Sequence, residues 1–186
     1  MEKTESLTRW KKISSVLFAK NKFWSYFIDE YSIGENYKGE YHYVHTPGST
    51  LVIPIGNDGK ILLIRQYRYL NDLFGIEFPC GGVQDGLEIS ENALKELREE
   101  TGFTAEKLIP VGRFTPFTGA SDEFCSVFIA KKLVHQPLTP DETEEFQLLW
   151  LSYDEVEELI EKNEISDGLS LAAWALAKGV LKSLHE

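Results

Sequence analysis

The stretch that decides the fold runs Pro79-Cys80-Gly81-Gly82-Val83-Gln84-Asp85-Gly86 and resumes at Lys95-Glu96-Leu97-Arg98-Glu99-Glu100-Thr101-Gly102-Phe103. Residues 90–101 have the composition of a helix, and Gly102 stands where a left-handed C-terminal cap belongs. At roughly 100° per residue, Glu96, Glu99 and Glu100 share one helix face. Ala93, Leu94, Leu97 and Thr101 share a neighbouring face, which can anchor the helix on a sheet. Three carboxylates are then left facing an adjacent groove. Like charges at the spacing of Glu96 and Glu100 cost about 0.2–0.5 kcal/mol on a helix, and more when desolvated. A divalent cation removes that repulsion. Hard oxygen ligands on a rigid element suit Mg²⁺ or Mn²⁺. The glycines before the helix let backbone approach a metal and a phosphate closely. Taken alone, an acidic helix face is more often a solvated, salt-bridged surface; the glycine loop and the glycine stop shift the balance.

Working outward, Gly75 to Pro79 reads as a short strand feeding the loop. Upstream, residues 51–55, the turn Asn57-Asp58-Gly59 and residues 61–69 read as a hairpin, because Asp-Gly between two apolar β-type runs favours one. Residues 23–31 and 40–45 are aromatic-rich and read as a second hairpin around turns at Gly34 and Gly39. Residues 6–19 are expected to form a short helix or an arm. Downstream, residues 108–114, 124–133 and 146–151 read as strands, and 152–163 and 168–184 as helices. Ser152 and Glu155 have the spacing of a capping box. Strands and helices mix without a regular βαβ repeat, which predicts an α/β sandwich with a mixed sheet between helices. Thr46-Pro47-Gly48 marks the boundary between an N-terminal appendage, 1–46, and the main domain, 47–186.

Composition narrows the function. The chain has 186 residues, a net charge of −11 and a pI near 4.9. Such a surface repels nucleic-acid backbones and anionic membranes, which are bound through Lys and Arg. A small anionic substrate remains possible when metal ions supply the positive charge. Cys80 and Cys125 have no CxxC spacing and read as small buried side chains in a reducing compartment. Residues 1–20 lack an apolar h-region, and the run Leu169 to Ala177 is shorter than the ~20 residues of a membrane span. A soluble, cytoplasmic protein is expected.

Gly81 to Phe103 resembles the Nudix box: Gly, five residues, Glu, seven residues, Arg-Glu, an aliphatic, any residue, Glu-Glu, any residue, Gly and a bulky apolar residue. Glu96, Leu97, Glu99, Glu100, Gly102 and Phe103 match its second half. Leu87 replaces the first Glu of the pattern, although Glu88 follows it, and Lys95 replaces the Arg. In the family those two side chains pair and brace the loop against the helix. Their loss removes a support and no metal ligand. The resemblance therefore implies a Nudix fold with an N-terminal antiparallel β-hairpin appendage.

The likeness continues over most of the chain. Trp10 to Ser14, the aromatic hairpin, Pro47-Gly48, the run Leu63 to Tyr69, Ile76 to Pro79 and Gly119-Ala120-Ser121-Asp122-Glu123 resemble the ADP-ribose pyrophosphatase branch. The resemblance implies that Glu96, Glu99 and Glu100 hold Mg²⁺, with the Cys80 carbonyl as an extra ligand. It implies that Arg68 grips a phosphate and that Glu123, beside the Gly119 loop, meets the substrate. On residue type alone, Arg68 reads equally as a surface strand cation and Glu123 as a turn carboxylate. Asp141-Glu142-Thr143-Glu144-Glu145 reads by itself as a solvated loop. In the branch it resembles, a mobile loop here supplies the catalytic base, with Glu144 first and Glu142 and Glu145 as alternates. Base recognition is expected in the aromatic hairpin, around Trp24 and Tyr26. The implied activity is hydrolysis of a nucleoside-diphosphate sugar, ADP-ribose first and GDP-mannose or a broader range second; a nucleotide sensor without catalysis is the rival from another class. Relatives in the branch are homodimers whose N-terminal hairpin reaches the partner's site, which predicts a homodimer here.

Overall fold

Residues 7–139 and 142–185 are described in the computed structural model of the chain. Asp141 of the second acidic cluster lies outside them. The chain divides into two compact units: Met1–Thr46 with Phe117–Glu123, and Pro47–Pro116 with Phe124–Glu186. In the first unit β1 (Lys11–Lys20), β2 (Ser25–Ile33) and β3 (Tyr37–His45) form an antiparallel sheet in sequence order. Residues 6–19, expected as a short helix or an arm, form no helix where they are described: 7–10 are irregular and β1 takes over from Lys11. Ile13, Val16 and Phe18 favour extended backbone, and β2 offers a partner from Ser32 to Ser25. Two register shifts let β1 follow the twist of that partner. Asn21 closes the connection, its Oδ1 accepting from the backbone N–H groups of Phe23 and Trp24 at 2.8 and 2.9 Å. The β2–β3 hairpin turns at Gly34, as expected. Gly39, however, lies inside β3 opposite Tyr31, and a Cβ there would come within 2.8 Å of the Tyr31 hydroxyl. It makes room for a ring, not a turn.

In the second unit β4 (Ser49–Pro54) is buried along its whole length. Its expected partner, β5 (Ile61–Arg68), is linked to it by a single isolated bridge, Ile55 to Ile61, just past the end of β4. The Asp58-Gly59 turn is present, with Gly56 N–H donating to the Lys60 carbonyl at 2.8 Å. Beyond that bridge the strands enter different sheets, so the expected hairpin is corrected to a turn between sheets. β5 pairs with β6 (Leu73–Glu77) and β10 (Gln147–Leu151) in a three-stranded antiparallel sheet. β4 lies between β7 (Cys80–Gly82) and β9 (Cys125–His135), with β8 (Phe103–Phe114) outermost. The β4–β9 pair is parallel and the others antiparallel, which makes this sheet mixed.

Alternation along β4 and β9 separates two cores. Leu51, Ile53, Val127 and Ile129 face the larger core with the helices α2 (Tyr153–Glu161) and α3 (Gly168–His185). Val52, Phe128 and Ala130 face Ala93 and Leu97 of α1 (Ile89–Thr101). The mixed sheet is thus covered by helices on both faces, which is why β4 reads as an unbroken apolar run. The α2 capping box is present, Ser152 Oγ accepting from Glu155 N–H at 3.2 Å and Glu155 Oε2 from Ser152 N–H at 2.7 Å. No helix among the described residues is long and apolar enough to cross a membrane.

Candidate active site

The apolar face of α1 fixes where its carboxylates go. Ala93 and Leu97 are fully buried, and Gly102 ends the helix at φ 78° with its N–H on the Arg98 carbonyl at 3.0 Å. Asn92, also fully buried, ties the preceding loop to the sheet. Its Oδ1 accepts from Gln84 N–H at 3.0 Å and its Nδ2 donates to Thr50 Oγ1 at 3.0 Å. Glu88 N–H donates to Glu91 Oε2 at 3.4 Å across the first turn.

Each of the three carboxylates has a distinct setting. Glu100 is buried, and its Oε2 accepts from the backbone N–H of Cys80 at 2.9 Å. Burial pushes the Glu100 carboxyl well above the usual carboxylate range; the Cys80 hydrogen bond opposes this, and the charges of Glu96 and Glu144 add to it. Glu96 lies against Gly81 so closely that a Cβ built there would overlap its carboxyl. Glu99 is ion-paired with Lys95, whose Nζ also lies 3.8 Å from Glu96 Oε1. Among the described residues no three carboxylate, imidazole or thiol side chains converge into a ready-made metal centre. The donor set nevertheless suits a hard divalent cation: three carboxylates on one rigid helix face, beside a glycine that leaves room for one of them. Cys80 and Cys125 are thiols, and the Cys80 thiol is raised well above its ordinary value by its hydrogen bond to Cys125 and by burial.

Arg68, on β5, is aimed by a residue that the sequence reading did not single out. Its Nε donates to Glu77 Oε1 at 2.9 Å, and Nη2 closes a second, shorter contact on Oε2. Gln66 Nε2 donates to the same carboxylate at 3.3 Å. Glu77 is buried while the Arg68 side chain remains 45 % exposed, so one edge of the guanidinium is held and the rest is open. The visible signal was a carboxylate between Ile76 and Phe78, in a strand that is otherwise apolar there. Arg68 lines a groove of about 760 Å³ with Arg65, Tyr67, Phe74, Glu144 and Glu145. Glu144 and Arg68 both act electrostatically on Glu100, linking the groove to α1. Glu142 is an exposed turn residue and does not line the groove.

Trp24, Tyr26, Gly119 and Glu123 belong to the other compact unit. Tyr26 Oη is hydrogen-bonded to His42 Nδ1 at 3.1 Å, and Trp24, just before β2, is 40 % exposed. The Tyr41 hydroxyl donates to the Gly119 carbonyl at 3.2 Å, fastening the 117–123 loop to β3. Glu123 N–H donates to Ser121 Oγ at 2.9 Å, and His45 Nδ1 meets Asp122 Oδ2 at 2.8 Å. Within this unit the structure brings Gly119 onto the aromatic sheet.

Comparisons with known proteins show what the chain is similar to. An ADP-ribose pyrophosphatase of Bacillus subtilis (strain 168) is 28 % identical over 84 % of this chain and 86 % of its own length. A methanol dehydrogenase activator of Bacillus methanolicus is 30 % identical over 78 % of this chain and 80 % of its own. A crystal structure of an ADP compounds hydrolase superposes with a TM-score of 0.85, covering 97 % of this chain and 98 % of that one at 20 % identity, a likeness of fold. The model of the NUDIX domain matches residues 45–173, which takes in the glycine loop, α1, Arg68 and Glu144. The chain belongs to the Nudix family.

Proposed function

We propose that the protein hydrolyses the pyrophosphate bond of nucleoside-diphosphate sugars, with ADP-ribose as the leading substrate and Mg²⁺ as the metal. The observation that carries this reading is the α1 carboxylate face, with Glu100 buried against Cys80 N–H and electrostatically linked to Arg68 and Glu144, which line the groove. The similarity to the Bacillus subtilis ADP-ribose pyrophosphatase supports the substrate class. Glu96, Glu99 and Glu100 would hold the metal, with the Cys80 carbonyl beside them. A divalent cation bound there neutralises charge on the pyrophosphate and acidifies water. Arg68, steadied by Glu77, offers its open guanidinium edge to a phosphate. Glu144 takes the proton as water attacks one phosphorus and the bridging P–O bond breaks. Glu145 lines the same groove and is the alternate base, ahead of Glu142. For ADP-ribose the products are AMP and ribose 5-phosphate. Trp24, Tyr26, Gly119 and Glu123 are assigned to the nucleoside and sugar. The Cys80 and Cys125 thiols accord with a cytoplasmic setting.

The test is product analysis with ADP-ribose, GDP-mannose, UDP-glucose and diadenosine polyphosphates, with Mg²⁺ and with EDTA. Cleavage of the sugar nucleotides only with Mg²⁺, fastest for ADP-ribose, is the expected result. Binding of ADP-ribose without cleavage of any compound would make the protein a nucleotide sensor.

A further inference from the structure

We infer that Lys95 is a built-in counter-cation of the α1 carboxylates, which a divalent ion has to displace before it binds. The inference rests on the reading of Glu96, Glu99 and Glu100 as metal ligands. Lys95 Nζ is in direct contact with Glu99 Oε2 and lies 3.8 Å from Glu96 Oε1, so one ammonium serves two of the three carboxylates. The side chains of Lys95, Glu96 and Glu99 are 25, 13 and 21 % exposed, and solvent and salt screen such a pair less than a surface one. Helix geometry alone does not explain the contact, because Lys preceding Glu by one turn is the weaker orientation of an i,i+4 pair. Neighbouring arginines are engaged elsewhere. Arg98 Nε donates to the Gln136 carbonyl at 2.8 Å, and Arg68 is held by Glu77.

Two consequences follow from charge. An ammonium among these carboxylates relieves their mutual repulsion without any metal. It also competes, because a dication at the same oxygens is repelled by a positive charge a few ångströms away. Loading the site is therefore an exchange of one cation for another. Lysine suits the exchange: its charge is a compact point on a flexible four-carbon stem, which can swing outward once the metal arrives. The rival role, in which Lys95 pre-arranges its neighbours for the metal, predicts the opposite sign on removal.

Mn²⁺ binding without substrate, followed by the electron paramagnetic resonance signal of the free ion, separates the two. Wild type would be compared with Lys95→Gln, Lys95→Arg and Glu99→Gln, with circular dichroism to show that each is folded. Lys95→Gln is expected to bind Mn²⁺ about 10-fold more tightly. Lys95→Arg, which keeps the charge, should stay near wild type, and Glu99→Gln should bind more weakly. Unchanged or weaker binding by Lys95→Gln, with wild type and Glu99→Gln as expected, would overturn the inference and leave the metal site standing. No Mn²⁺ binding by wild type, or equal binding by Glu99→Gln, would overturn both.

Discussion

Gly81 and Glu100 carry the most specific consequences at the scale of single residues. A Cβ at Gly81 would overlap only the end of the Glu96 side chain, and the backbone there is not in the left-handed region. Gly81→Ala should therefore fold with near-normal thermal stability while swinging one carboxylate aside. Because displacements of about 1 Å can cost 10²-fold in rate, a loss of that order is expected in steady-state turnover. Normal turnover would remove Glu96 from the site. For Glu100 the sign follows from burial. Its carboxyl is raised above the ordinary 4.5, so the metal-free folded state binds a proton more readily than the unfolded chain. Its contribution to stability is present below that ordinary value and is lost as pH rises through the raised one. In EDTA, melting temperatures of wild type and Glu100→Gln should therefore diverge as pH rises above about 4.5, with the variant gaining relative to wild type. Parallel curves would mean that the carboxylate is already well solvated or paired.

At the scale of elements, Asn92 joins α1 to the loop just before it and to β4, where Thr50 lies 42 residues away in the chain. Asn92→Ala leaves the Gln84 N–H and the buried Thr50 hydroxyl without this partner, and should cost about 1–3 kcal/mol in urea unfolding. A loss within error would show that water replaces the amide. The clamp also marks where sequence reading stops. The helix α1 was legible because its apolar face, its acidic face and Gly102 are all local signals. The run β4 was legible because both its faces are buried. Asn92 and Glu77 were not, since their meaning depends on partners supplied by other strands and loops. The helix offered for β1, as the alternative to an arm, was wrong because pairing with β2, not the strand's own period, determines its conformation. At Asp58-Gly59 the turn chemistry was right, but it could not say that the flanking strands part into different sheets.

At the scale of the whole molecule, β1 is exposed along all of its ten residues, and Phe18 alone shows 70 % of its surface. Val16 and Leu17 are exposed with it. Large apolar side chains exposed along one strand suit an interface, and a second copy of the chain is the occupant expected from the branch it resembles. Light scattering on the purified protein should give a homodimer, and substitution of Val16 and Phe18 by Ser should shift it toward monomer. A monomeric wild type would leave the exposed strand without that explanation. The family was legible from Gly81 to Phe103 alone, whereas assembly and substrate choice depend on surfaces that a linear pattern does not describe. The central claim, that the α1 carboxylates hold the metal for pyrophosphate hydrolysis, is tested most directly by ADP-ribose turnover in Mg²⁺ for wild type and Glu100→Gln. AMP release by wild type that EDTA abolishes, and that falls by about 10³-fold in a folded Glu100→Gln, is the predicted result. Near-normal turnover by that variant would contradict the account.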